Sequence, residues 1–290
     1  MRGILSGLAA AAIWGGMYVV SKVVLDVIPP FALLAVRLLL GVLALALVFL
    51  LQHDKDLAKH VPPARQIRDA FLVGVVGYGV SLGFQFVGTK LSTASNGALV
   101  TSATPAFVLL FAPYLLHERN TPRRILALVI STLGVLAVID PRNAELSPAL
   151  FWGNMSLLAA ALTWALYSVL VRKVAQDADL LAASAVMLAG GIPSSLLFGA
   201  WEAQTQGIGV IDIGIIGGIL YLGIISTAIA MFLWNYAFAE LPAAVASLTF
   251  FAQPVVGSLL GWLFLKEQIT PLFLLGGVLI GVGLVISSRE

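Results

Sequence analysis

The side chains best able to hold a small ligand are polar and aromatic residues set inside long apolar runs. Trp14, Tyr18 and Ser21 fall at helical spacing, as do Tyr78, Ser81 and Gln85; residues three, four and seven apart share one face of a helix. Thr101 and Thr104 form another such face, Trp164, Tyr167 and Ser168 cluster, Asn235 stands alone, and Thr249 pairs with Gln253. This set can bind but is poorly equipped to break bonds. Aromatic faces with a few amides suit a ligand with an apolar body and a polar end. A single Ser or Thr among them is satisfied simply by bonding back to its own helix, and a Trp or Tyr near a run's end serves equally well as an interfacial anchor. For Tyr78, Gln85, Asn235 and Gln253 the cavity reading is favoured, because an amide turned to lipid without a partner costs several kcal/mol.

Other chemistries lack their residues. The chain has no Cys, its three His (His53, His60, His117) lie in loops or at a run's end, and no HExxH spacing occurs, so no metal or haem is expected. GYGVSLG (Gly77 to Gly83) has the wrong spacing for a dinucleotide loop and sits inside an apolar run; a Walker-type phosphate loop is also missing. No convergent acid, base and metal set exists at one depth, so an enzyme is not expected, nor is a cofactor or a nucleic-acid partner. Every Asp and Glu falls at the end of a run or between runs. Arg37 is the one charge well inside a run. It has three readings: its long side chain can snorkel outward, bond backbone carbonyls as a structural element, or act as a counter-charge for a substrate carboxylate.

The elements that must position these residues follow from composition. Of 290 residues, 60% are hydrophobic and 10% charged, against about 25% charged in a soluble domain. Crossing a bilayer takes about 20 mostly apolar residues. Ten runs qualify, at 3–25, 31–51, 69–89, 94–116, 123–139, 150–172, 180–200, 213–238, 243–265 and 271–288. The longest polar stretch between them, Gln52 to Arg68, is too short for a core of its own. The first run has the basic start of a secretory signal but is read as a span, because it has a counterpart in the second half. Numbering the runs as spans puts eleven of the 16 Lys and Arg on the side of the N-terminus: Arg2, Lys55, Lys59, Arg65, Arg68, Arg119, Arg123, Arg124, Arg172, Lys173 and Arg289. Lys22, Lys90, Arg142 and Lys266 fall on the other side. Positive residues concentrate on the cytoplasmic side, which predicts both termini there.

The chain also repeats itself. At an offset of 150, Trp14 meets Trp164, Lys22 meets Arg172 and Gln85 meets Asn235; at 149, Pro105 meets Pro254, Glu118 meets Glu267, and Thr121-Pro122 meets Thr270-Pro271. Five spans per copy, an odd number, turn the second copy over in the membrane. The expected fold is an all-α integral membrane protein of ten transmembrane helices in two inverted five-helix repeats. It forms a single membrane domain, 1–290, with repeat one at 1–140, a linker at 141–148 and repeat two at 149–290. Inverted repeats mark secondary transporters, whose site lies near the midplane where the copies meet; a channel or scaffold from the same duplication is the alternative.

Five-helix halves, a Trp in each first helix, an Arg early in the second, LSTASNGALV (Leu91 to Val100) leading into a mid-helix Pro, and closing HERNTP (His117 to Pro122) or KEQITP (Lys266 to Pro271) together resemble the drug/metabolite transporter superfamily. The match is closest to its ten-helix EamA-type branch and covers the whole chain. The resemblance implies export of small metabolites, notably aromatic and other neutral amino acids. It also implies a central cavity among the first, third, fourth, sixth, eighth and ninth helices, with the fifth and tenth outside. The expected location is a bacterial cytoplasmic (inner) membrane; the oligomeric state is left open, a monomer included.

The substrate-binding set expected is therefore Trp14, Tyr18, Tyr78, Ser81, Gln85, Thr101, Trp164, Tyr167, Asn235, Gln253 and Arg37. Pro105 and Pro254 each remove an N–H and press on the carbonyl four residues back. Both are expected to kink their helices, either as gate hinges or as static bends shaping the cavity. With no carboxylate or His inside a span, facilitated export is favoured over proton antiport. Glu118 and Glu267 end the fourth and ninth runs and are expected to pair locally, with Arg119, Arg123 or Lys266. The GxxxG pairs Gly79/Gly83, Gly214/Gly218, Gly257/Gly261 and Gly277/Gly281 are expected to let helices approach closely.

Overall fold

The computed structural model describes residues 1–53, 61–92, 94–139, 148–175, 179–265 and 271–288. Among them every regular element is helical. The elements are α1 (Arg2–Leu25), α2 (Pro30–Gln52), α3 (Ala64–Leu91), α4 (Ala94–Thr101), α5 (Thr104–Leu116), α6 (Pro122–Ile139), α7 (Pro148–Val174), α8 (Leu180–Gln206), α9 (Ile213–Glu240), α10 (Ala243–Leu248), α11 (Ala252–Leu265) and α12 (Pro271–Ser288). By length and hydropathy, eight described stretches can cross a membrane: α1, α2, α3, Leu99–Leu116, α7, α8, α9 and α12. This is an integral membrane protein.

Local sequence sets the ends. Pro30 and Pro122 begin helices, where a missing N–H costs nothing. Asp179 accepts from Ala182 N at 2.9 Å and Asp212 from Ile215 N at 2.8 Å, each capping the helix that follows. The start of α2 is capped from another helix: Glu202 of α8 accepts from Phe31 N at 2.6 Å. Two spans run longer than the sequence pattern suggests. The third begins at Ala64 rather than near 69, with Arg65 and Arg68 on an exposed first turn, and the seventh continues to Gln206 rather than 200.

Long-range packing joins early helices to late ones: α1 to α9 and α11, α2 to α8, α3 and α5 to α7, and α6 to α12. Glycine permits close approach at two crossings, α3 with α8 and α6 with α12. At the crossing of α3 and α8, a Cβ on Gly74 would strike Met187 O, and one on Gly190 would strike Phe71 O. Between α6 and α12, a Cβ on Gly134 would lie 2.8 Å from Gly276 O. The GxxxG expectation holds unevenly. Gly257 faces Gly15 O, whereas Gly277 and Gly281 have nothing within 4 Å beyond them and look outward from α12. Spacing reveals a small-residue ridge, but not whether a neighbour uses it.

Four irregularities interrupt these helices. Residues Val75–Ser81 in α3 and Tyr221–Ile229 in α9 form π-helix, whose wider turns release carbonyls from the regular ladder. A turn at residues 102–103 separates α4 from α5, and a 3-10 turn, Thr249–Phe251, separates α10 from α11. Pro105 and Pro254 sit in the first turns after these breaks. The bend is thus a restart of the helix ahead of each proline.

A candidate substrate cavity

A cavity of about 30 Å³ lies where α1, α3, α4, α5, α7, α9 and α11 converge. Its wall includes Trp14, Ser81, Gln85, Thr101, Trp164 and Gln253 from the expected set, with Thr104 and the unexpected Met17, Leu82, Ala160, Ala161, Met231 and Phe250. That volume admits one or two waters, whereas pockets for organic ligands run to about 300–1,000 Å³. The cavity is thus small beside such pockets. A larger cavity, about 350 Å³, opens among the loops at Asp26–Pro29 and Gln206–Gly209 beside Lys90. It is a cleft between exposed connections and lacks the enclosing helices, so the central cavity is the candidate site.

Three indoles fix the central wall. The Trp14 ring meets Trp164 edge-on at 5.8 Å, and Trp234 and Phe250 at 5.4 and 6.1 Å. Trp164 also contacts Tyr167 at 4.8 Å and Tyr78 at 6.1 Å. Trp14 Nε1–H donates to Ser226 O at 3.0 Å, a carbonyl in the π segment of α9, and Trp234 Nε1–H donates to Ser168 Oγ at 3.0 Å. Trp164 Nε1–H, buried on the cavity wall, has no partner, and neither does the buried Thr104 hydroxyl. Such groups in a native interior call for an explanation, since leaving one unpaired costs about 1–3 kcal/mol. Ser81 Oγ donates to Ala160 O at 2.8 Å and Thr101 Oγ1 to Gly97 O at 2.6 Å, the local satisfaction expected of small hydroxyls.

Three expected residues lie behind this wall instead of on it. Tyr78 and Tyr167 share a short hydroxyl contact, Tyr167 Oη donates to Asn235 Oδ1 at 2.7 Å, and Asn235 Nδ2 donates to Ser184 Oγ at 3.0 Å. All four are essentially inaccessible, so this chain of bonds ties α3, α7, α9 and α8 together. The backbone of Tyr18 belongs to α1, but its side chain lies outside the described residues.

Arg37 is completely buried, which excludes snorkelling. Its Nε donates to Leu222 O at 3.3 Å and its Nη2 to Thr227 Oγ1 at 3.0 Å; Nη2 lies 3.7 Å from Met17 Sδ. Phe86 covers the guanidinium at 5.0 Å. Leu222 O is another carbonyl of the π segment, so the bulge supplies the acceptor that a regular helix would not. Nη1 has no partner, and no carboxylate among the described residues pairs with Arg37. Met17 lines the cavity, so the charge sits one side chain behind its wall.

At one end of the bundle Glu118, following α5, meets Arg172 of α7: Oε1 lies 2.8 Å from Nε. The same carboxylate accepts from Ala243 N at 3.0 Å, at the start of α10, and lies 3.9 Å from Arg124. Beside the local pairing expected for Glu118, the structure adds a partner on another helix, Arg172, and His117 adopts a left-handed conformation where α5 ends. Glu267 and Lys266 lie outside the described residues, as does the linker 141–147. At the opposite end of α7, Ser92, Asn96 and Asn154 interlock, with Ser92 Oγ to Asn154 Oδ1 at 2.7 Å and Asn96 Nδ2 to Asn154 Oδ1 at 3.0 Å.

The described residues thus form an all-helical membrane protein around a small, largely apolar cavity. The model of the EamA-like transporter family matches residues 1–139 and 151–289, and the chain belongs to that family. It is 26% identical to a Bacillus subtilis (strain 168) protein named uncharacterized transporter YoaV, over 99% of this chain and 96% of that protein. It is 29% identical to a probable amino-acid metabolite efflux pump of Salmonella typhimurium, over 97% of this chain and 92% of that protein. A crystal structure of a protein with 20% identity superposes with a TM-score of 0.80, covering 99% of this chain and 96% of that one, which establishes the shared fold.

Proposed function

We propose that this transporter exports small amino-acid-like metabolites, aromatic or neutral, by alternating access around the central cavity. The observation that carries the reading is that two residues of this wall, Trp164 and Thr104, each keep a buried polar group without a partner, among rings, methionines, small residues and amides. An apolar body with a hydrogen-bonding end matches that wall. The relative named as an amino-acid metabolite efflux pump supports the same class. The chain is a ten-helix inverted repeat: the two family matches, the paired π segments and the paired breaks before Pro105 and Pro254 all recur at the sequence offset of about 150. Both termini face the cytoplasm, the membrane is a bacterial inner membrane, and the Glu118–Arg172 contact closes the cytoplasmic side.

Transport is facilitated. Among the described residues no Asp, Glu or His lines the cavity, so none of them there is suited to take up and release a proton near neutral pH. The test is counterflow of labelled amino acids in proteoliposomes with no pH gradient. Accelerated exchange is the expected result. Flux without counterflow identifies a channel, and flux that vanishes without a proton gradient identifies a proton-coupled exporter instead.

A further inference from the structure

Three polar groups on the cavity wall or just behind it lack partners, and each of them can donate. Trp164 Nε1 can only donate, the Thr104 hydroxyl can donate as well as accept, and behind the wall Arg37 keeps Nη1 unpaired while its Nη2 lies 3.7 Å from Met17 Sδ. Among the described residues the wall carries no carboxylate, and its side-chain amide acceptors are the neutral oxygens of Gln85 and Gln253. Aromatic rings can hold an ammonium group over their faces. Here, however, the Trp164 ring is packed against Trp14, Tyr78, Tyr167 and Trp234, and its N–H is the polar group left unpaired.

The field agrees with the donors. Arg37 is wholly buried and has no counter-ion among the described residues; its partners are a carbonyl, hydroxyls, a sulfur and a ring face. A charge so placed is screened little by solvent and acts across several ångströms. It attracts an anion entering the cavity and repels a cation. Charges inside a membrane are costly, and bonding carbonyls alone does not require a guanidinium that keeps one nitrogen unpaired.

Building on the exporter reading, we infer that the cavity selects the carboxylate of its substrate and leaves the amino group unread, Trp164 and Thr104 donating to the carboxylate and Arg37 supplying the charge. An organic acid with an apolar body then binds as well as the matching amino acid, and the matching amine is rejected. This separates the chain from exporters of lipophilic cations by residues rather than by name.

The probes share one phenyl body: phenylalanine, 3-phenylpropanoate, 3-phenylpropanamide and phenethylamine, measured as equilibrium binding to the purified full chain in lipid nanodiscs. Phenylpropanoate is expected within about threefold of phenylalanine, and phenethylamine at least tenfold weaker than either. In Arg37→Gln the acid-to-amine ratio collapses to within about twofold, whereas Arg37→Lys retains at least half of it on a logarithmic scale. Should Arg37→Gln fail to fold, Trp164→Phe provides the readout, weakening the acid while leaving the amine unchanged. Equal or tighter binding of phenethylamine overturns the inference, as does the absence of binding by all four probes. Counterflow of a neutral or cationic compound by the same protein then still leaves the exporter reading standing.

Discussion

Glu118 and Arg172 form a contact between α5 and α7 that also reaches the junction of α9 and α10, because Arg172 Nη1 donates to Phe238 O and to Leu241 O while Glu118 accepts from Ala243 N. Both side chains are mostly shielded, at 15% and 21% exposure. One carboxylate thus joins a helix end, a helix start and two guanidinium groups. Glu118→Gln keeps an oxygen for Ala243 N but loses the charge, a change worth about 1–3 kcal/mol for a charge-assisted bond. The expected outcome is a thermal midpoint several degrees lower, and faster labelling of a cysteine placed at Leu241. Labelling no faster than in the parent removes the closure role assigned to this end.

The bond from Tyr167 to Asn235 links α7 to α9 where both side chains are fully buried. Tyr167→Phe leaves Asn235 Oδ1 and the Tyr78 hydroxyl each short of a partner while keeping the ring in contact with Trp164. Stability should fall by about 1–3 kcal/mol. Because none of these groups touches the cavity, substrate affinity should change less than twofold. A tenfold loss of affinity at unchanged stability would place Tyr167 in the substrate site after all.

Six of the eleven residues singled out for binding lie on the cavity, and the reason is geometric. Trp14, Gln85 and Gln253 are bulky or polar residues at regular helical spacing, where lipid would penalise them, so their direction was legible. Tyr78 was placed with Ser81 and Gln85 on a regular wheel, but the π segment Val75–Ser81 shifts the phase, turning Tyr78 toward Tyr167. Met17, Met231 and Phe250 carry no polar signal, and in a chain made for lipid an apolar residue looks the same whether it faces a cavity, a helix or the bilayer. Arg37 was visible as an oddity. Its partners were not, since they arise from a bulge that hydropathy does not encode.

Gly74 and Gly190 mark the tightest crossing, between α3 and α8. A methyl group at Gly74 would collide with backbone of Met187, which cannot rotate aside as a side chain could. Gly74→Ala should separate the helices at a cost of about 1–3 kcal/mol, seen as lower yield of monodisperse protein and a lower thermal midpoint. Gly277→Ala on the outward face of α12, with open space beyond, is the control and should stay within about 0.5 kcal/mol of the parent.

Pro105 tests whether a helix break is shape or motion. It occupies the first turn of α5, where the N–H it lacks would have had little to bond, so its presence costs the folded chain little. Ala103 N and Ala106 N already bond the carbonyls three residues back, at Val100 and Ala103, in the tighter pattern that accompanies a break. Replacing Pro105 with Ala restores a donor and lets α4 and α5 run on as one helix. Thr104, whose hydroxyl waits on the cavity wall, would then rotate with the turn. If the break is a hinge, Pro105→Ala should express normally and keep its thermal midpoint within a few degrees, yet slow counterflow several-fold, and Pro254→Ala should do the same. If the break only shapes the wall, affinity shifts and the maximal rate does not. Equal rate and equal affinity in both variants would leave the prolines no part in transport.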